Sequence, residues 1–330
     1  MIWTPGVAHA ARKIATAAAV GGGGLTAIGG LAYGLLLAEA LVARRMVGNP
    51  HGTEGPPSDG VYSASEPAGE PLRLVMLGDS TSVGLGMDDP AHTPGVMLAG
   101  GLASIAERPV LLTVAGRSGA ASAELAAQVD QVLGGPAPDV AVIFIGANDV
   151  TTRARPADAV RHLQNAVRRL REAGTQVVVG TCPDLGTVRP IAQPLRWITR
   201  RWSRELAAAQ TIAVVEAGGR TVAFADLLGP VFATNPTEMF RPDRYHPSAR
   251  GYQQAAYAVL PSVCAALGLW PEPEPRHGEG SQSIYLAAAL AAEEPGTEVA
   301  ETRVAGRAVG PYGRWASLFH RRLGTMPRDA

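Results

Sequence analysis

Between Leu72 and Leu269, apolar runs of strand length alternate with segments of helical spacing. Leu72–Leu77 is apolar apart from Arg73 and stops at Gly78-Asp79-Ser80, with further glycines at Gly84 and Gly86. Such a run, bounded by Gly and Ser, predicts a buried strand feeding a tight turn. Further strands are predicted over Val110–Val114, Val140–Ile145, Gln176–Gly180 and Ile212–Val215. Helices are predicted over Pro94–Glu107, Ser122–Leu133, Pro156–Ala173 and Pro194–Ala209, with a last one from Pro247. Leu125, Val129 and Val132 recur at helical intervals, and Pro156 and Gly174 bracket their helix in the usual way. The strand runs are apolar throughout rather than alternating. That pattern fits a parallel sheet covered by helices on both faces, an α/β fold. No internal repeat is visible.

The flanks read differently. Ile14–Ala38 carries no charge and is long enough to span a bilayer. Its small residues, Gly21 to Gly24 among them, would suit tight helix packing in a membrane. An uncleaved anchor is the favoured reading; a cleaved signal peptide, with Ala38-Glu39-Ala40 at the cut and a secreted product, is the alternative. Arg12 and Lys13 lie on one side and Arg44 and Arg45 on the other, which places the globular domain outside the cytoplasm by a narrow margin. The expected division is an anchor or signal over 1–45, a Pro/Gly/Ser-rich linker over 46–70, the globular domain over 71–270, and a largely disordered appendage over 271–330. Within the appendage, Trp315, Leu318, Phe319 and Leu323 beside Arg321 and Arg322 offer an interfacial helix as a second reading.

Charge narrows the classes. Formal net charge is zero, which argues against a general nucleic-acid binder. Lys13 is the only lysine, a bias expected of a GC-rich genome such as an actinobacterial one. The arginines of Pro156–Ala173 form a solvated face. Cys182 follows a strand and Cys264 lies about 27 Å along the last helix at 1.5 Å per residue, so two free, buried thiols are expected. His51, His92, His162, His277 and His320 lack partners at metal-ligand spacing.

Three predicted strand ends carry polar residues: Ser80, Ser118 with Gly119, and Asn148 with Asp149. Strands of an open α/β sheet present their carboxyl ends to ligands. A fourth group, Asp243-Arg244-Tyr245-His246-Pro247, precedes the last helix. Gly-Asp-Ser, then Gly, then Gly-x-Asn-Asp, then Asp-x-x-His, in that order, resemble the SGNH or GDSL hydrolases over about Leu72–Leu269. The resemblance implies a three-layer α/β/α fold of flavodoxin-like type with a central parallel sheet. It also implies a serine esterase acting on short-chain acyl or acetyl esters, including those of envelope glycans or lipids. A serine hydroxyl needs an adjacent base, so Ser80 would be the nucleophile and His246 its base, with Asp243 orienting the ring. The oxyanion would be held by the N–H groups of Ser80 and Gly119 and by the Asn148 amide, with Gly116 the rival glycine. Asp149 is read as structural, and Asp79 as bracing the turn. No metal or organic cofactor is implied. The same residues would serve an O-acyltransferase; a catalytically silent envelope-binding protein is the third reading. No Gly-x-Ser-x-Gly elbow is present, which argues against the ordinary α/β-hydrolases.

Overall fold

The computed structural model describes residues 34–42, 54–63, 69–269, 298–304 and 307–312. Five parallel strands form the centre of the sheet: β2 (Leu72–Gly78), β3 (Val110–Val114), β4 (Val140–Phe144), β5 (Gln176–Gly180) and β6 (Arg220–Val222). Their spatial order is β3-β2-β4-β5-β6, the flavodoxin-like arrangement. A short strand β1 (Gly60–Tyr62) pairs antiparallel with β3, and β7 (Glu298–Val304) pairs antiparallel with β6, followed by β8 (Arg307–Tyr312). The sheet is thus mixed and mainly parallel.

Both faces of the central strands are buried. Leu74 and Met76 of β2, with Val140, Val142 and Phe144 of β4, join one core, and helices α2 (Pro94–Ala106) and α7 (Ala249–Ala266) cover it. Val75, Leu77, Ala141 and Ile143 join the other core, under α3 (Leu125–Leu133) and α5 (Pro156–Glu172). This two-sided burial explains why the strand sequences do not alternate. The short α4 (Ala147–Thr151) follows β4, and α6 (Leu195–Glu216) packs beside α5. An amino-terminal helix, α1, spans 34–42.

The predicted strand at Ile212–Val215 is instead the last turn of α6, and the fifth parallel strand starts at Arg220. A short apolar run reads equally as a strand or as a buried helical turn. The chain meets no glycine or proline until Gly218, where φ is +81°. The N–H groups of Gly218 and Gly219 bond back to the carbonyls of Val215 and Val214, and that ends the helix. Residues 60–62 sit in the predicted linker yet add a strand, and the appendage supplies β7 and β8 at the opposite edge. Both additions cover edges of the parallel core, which would otherwise present unpaired backbone groups. Most of the predicted anchor Ile14–Ala38, and the Trp315–Leu323 segment, lie outside the described residues. Among the described residues no helix is long and apolar enough to cross a membrane.

Two buried glutamines close the carboxyl ends of the central strands. The Gly78 N–H donates to Gln128 Oε1 at 2.7 Å, and Gln128 Nε2 donates back to the Gly78 carbonyl at 2.9 Å. Gln210 accepts the Cys182 N–H at 2.8 Å and donates to the Ile145 carbonyl at 3.2 Å. Gly78 itself has φ +122°, and a Cβ there would lie 1.9 Å from the Phe144 carbonyl oxygen, so only glycine fits. Replacing Gln128 with leucine would strand the Gly78 N–H in the interior, at a cost of about 1–3 kcal/mol. Gln128→Leu should therefore melt several degrees below the parent by calorimetry, while Gln131→Leu, on the exposed side of the same helix, should not. Equal melting temperatures would show that the strand end does not need this clamp.

Candidate active site

The sheet order reverses between β2 and β4, and ligands of such sheets bind outside the carboxyl ends at that point. Ser80 leaves β2 there and Asn148 leaves β4. The turn carrying Ser80 is tied down along its length. Asp79 N–H donates to the Phe144 carbonyl at 2.9 Å, Ser82 Oγ to the Asp79 carbonyl at 2.7 Å, and Leu85 N–H to the Ser80 carbonyl at 3.0 Å. Among the described residues no backbone carbonyl accepts the Ser80 N–H.

The loop after β3 reaches the same edge. Arg117 N–H bonds to the Gly78 carbonyl at 3.0 Å. The two candidate glycines of that loop differ. Gly116 N–H is spent on the Met76 carbonyl at 3.1 Å, and a Cβ on Gly116 would sit 2.0 Å from Ser82 Oγ. Gly119 has φ +79°, an N–H with no backbone acceptor among the described residues, and open space where its side chain would be. Asn148 Nδ2 donates to the carbonyl of the adjacent Ala120 at 2.9 Å, which joins this loop to the start of α4. Asp149 strengthens the junction, accepting from Ser122 Oγ at 2.7 Å and from the Ser122 N–H. Burial pushes the Asp149 carboxyl up, and the Ser122 bonds pull against it. The structural reading of Asp149 fits this geometry.

The fourth group is a compact loop before α7. Asp243 Oδ1 accepts the N–H groups of Tyr245 and His246 at 2.9 and 3.0 Å, and Asp243 Oδ2 lies 2.9 Å from His246 Nδ1. The positive φ of Arg244, 56°, reverses the chain between them. Burial of Asp243 raises its pKa, but the bonds from the imidazole and the two N–H groups outweigh it and hold the carboxyl below its ordinary value. The loop is bound to the Ser80 turn by Tyr252, fully buried in α7, whose hydroxyl donates to the Leu85 carbonyl at 2.9 Å. No sequence motif indicated this bridge, and Gln128 and Gln210 carry no motif either.

Ser80 and His246 line one cavity of about 90 Å³. Its walls are otherwise mainly apolar, with Phe144, Phe224, Leu228, Phe232 and Phe240. Gly119, Asn148 and Asp243 lie outside the lining, Asp243 being bonded to His246. Among the described residues no hydrogen bond joins Ser80 Oγ to the imidazole. Catalytic contacts of this kind often tighten only with substrate bound.

A sequence model of the GDSL-like Lipase/Acylhydrolase family matches residues 76–254. The chain belongs to this GDSL-like family. It is an ester hydrolase. The chain is 41% identical over 267 residues to the GDSL-like esterase Rv1075c of Mycobacterium tuberculosis, an alignment covering 77% of this chain and 83% of that one. Among solved structures it is similar to TesA, with TM-score 0.49 and 22% identity over 59% of this chain and 99% of the other. It is also similar to AlinE4, an SGNH-hydrolase family esterase, with TM-score 0.44 and 22% identity over 61% and 98%. In this GDSL-like chain the fourth motif position is Thr81, whose N–H donates to Asp79 Oδ1 at 2.9 Å. Both cysteines are free and buried, as their spacing predicted.

Asp79 is 3% exposed and lines the cavity. Burial pushes its carboxyl up to about 6 from an ordinary 3.8, with the Thr81 bonds and the His246 charge pulling down and Asp149 adding to the rise. The native state therefore holds a proton there that the unfolded chain releases. The stability this contributes is complete below about pH 4 and is lost as the pH rises through about 6. Asp79→Asn keeps the acceptor for Thr81 and removes the buried charge. It should be more stable than the parent at about pH 7.5, by up to about 3 kcal/mol, with the difference closing near pH 4. Denaturant melts across that range test this, and parallel pH profiles for the two proteins would refute it.

Proposed function

We propose that the protein hydrolyses carboxylic esters with short, apolar acyl groups through an acyl-Ser80 intermediate. The observation that carries this reading is the pairing of His246 with Asp243 at 2.9 Å, with the same imidazole lining one apolar cavity with Ser80. Ser80 Oγ attacks the ester carbonyl carbon and passes its proton to His246 Nε2. Asp243, bonded to Nδ1, fixes the ring and stabilises the imidazolium. The tetrahedral oxyanion is held by the Ser80 and Gly119 N–H groups and by the second N–H of the Asn148 amide, the first being engaged with Ala120. The C–O bond to the alcohol then breaks, and His246 returns the proton to the leaving oxygen. Water, activated by the same ring, attacks the acyl-enzyme and releases the acid.

Of the two candidate glycines, Gly119 is favoured because its N–H has no backbone acceptor among the described residues, whereas that of Gly116 has one. The cavity supports an acyl rather than a sugar occupant, since its walls are mainly apolar and include four phenylalanines. At about 90 Å³ it is well below the roughly 300–1,000 Å³ of pockets for drug-sized ligands. An O-acyltransferase would use the same intermediate with an alcohol in place of water.

A serine-reactive fluorophosphonate should label Ser80, and Ser80→Ala should lower kcat by about 10⁴-fold or more. Labelling of another residue, or a fully active Ser80→Ala, would end this reading. Asn148→Ala should lower kcat by about 10²–10³-fold with KM little changed, because an oxyanion donor acts in the transition state. A lower melting temperature with kcat within a few-fold of the parent would reduce Asn148 to a brace for Ala120. In a series of p-nitrophenyl esters, kcat/KM for acetate to butyrate should exceed that for dodecanoate by about tenfold or more. A preference for the long chain would show that the acyl group does not occupy this cavity.

A further inference from the structure

We propose that α1 and the exposed side of the amino-terminal half of α6 form a lipid-docking face, occupied by the surface of a bilayer. Three residues of α1, at i, i+3 and i+4, turn toward the domain: Leu36 and Ala40 pack against the core, and Glu39 is buried. Glu39 Oε2 accepts the N–H of Leu195, the first residue of α6, at 2.9 Å. That N–H has no partner within its own helix, and a carboxylate at a helix amino terminus meets the positive end of the dipole. The contact fixes α1 against α6.

The outward side of α1 has no polar side chain. Leu35, Leu41 and Val42 are 50–52% exposed and Leu37 is 38% exposed, with Ala38 exposed between them. A helix on a globular surface turns charged or polar residues outward; this one turns apolar residues outward instead. Two residues beyond Leu195 stands Trp197, 59% exposed, and Trp202 follows at 42%. Tryptophan is suited to a boundary with one apolar and one wet side. Arg196, Arg200 and Arg201 lie among these residues, and Arg44 and Arg45 follow α1. An apolar side flanked by tryptophan and arginine is the composition of an interfacial helix.

The chain outside the described residues decides between occupants. The 20 residues of 14–33 carry no charge and run directly into α1. A bilayer accepts that stretch, the α1 leucines and the tryptophans together. The inward side of α6 supports the cavity wall. Leu185 and Thr187, which line it, belong to a 3₁₀ turn held to α6 by the Leu185 N–H to Ser203 Oγ at 3.2 Å and by Arg204 to Asp184 at 3.0 Å. The face itself does not depend on the roles given to Ser80 and His246.

The full chain should be mixed with phosphatidylcholine–phosphatidylglycerol vesicles carrying brominated acyl chains. Tryptophan emission should be quenched, and Trp197→Phe combined with Trp202→Phe should remove more than half of that quenching. Leu35→Glu combined with Leu41→Glu should also lift Trp197 and Trp202 away from the quencher, even where residues 14–33 keep the chain on the vesicle. Hydrolysis of a soluble p-nitrophenyl ester should be unchanged in both variants, which reports the fold and separates this test from that of the active site. Quenching that persists in the tryptophan double variant would come from Trp3, Trp270 or Trp315 and would overturn the proposal. A dimer in sedimentation that the α1 variant dissociates, without quenching in the parent, would assign the face to a second copy instead.

Discussion

A parallel sheet ends in backbone groups that its neighbours cannot satisfy, and this site is built where those ends are buried. At the β2–β4 reversal the Gly78 and Ile145 backbones leave the ladder in the interior, where an unpaired polar group costs about as much as a lost hydrogen bond. The amide side chains of Gln128 and Gln210 supply the missing partners from α3 and α6. With the strand ends closed, the chain can turn sharply at Gly78 and Gly146, both at positive φ and both too crowded for a Cβ. Ser80 and Asn148 come directly after those turns, so their positions follow from how the sheet is finished.

Four loops then lock to one another by single, specific bonds. Arg117 joins the β3 loop to Gly78, Asn148 and Asp149 join α4 to Ala120 and Ser122, and Tyr252 joins α7 to the Ser80 turn. Short loops carried on a rigid scaffold can hold a reacting geometry. The carboxylates at this edge have distinct environments. Asp243 accepts three hydrogen bonds and stays below its ordinary pKa, whereas burial raises Asp79 and Asp149. Of the three, and among the described residues, Asp243 is the one hydrogen-bonded to an imidazole.

The outer parts of the chain are less separate than their composition implies. Residues 60–62 cover the edge of β3, β7 covers the edge of β6, and α1 reaches the first turn of α6 through Glu39. Each segment meets backbone groups that the five-stranded core alone would leave open.

The alternation of apolar runs with helical spacing determined the α/β class, and glycine and proline marked most element ends within a residue or two. The motifs at Ser80, Gly119, Asn148 and His246 were legible because each lies at the end of a strand or the start of a helix, where sequence order already fixes the sheet edge. Sequence also pointed to Asp243 as the partner of His246, since with only two residues between them both side chains come from one loop. Tertiary structure decided the rest. Ile212–Val215 became helix because α6 continued unbroken to Gly218, and periodicity over four apolar residues cannot tell the two states apart. Among the described residues the packed loop spends the Gly116 N–H on the Met76 carbonyl, and no backbone carbonyl accepts that of Gly119. The roles of Gln128, Gln210 and Tyr252 depend on bonds across 50, 65 and 167 residues of chain. Local sequence records which groups a residue carries; only the packed chain decides which distant backbone group will lack a partner.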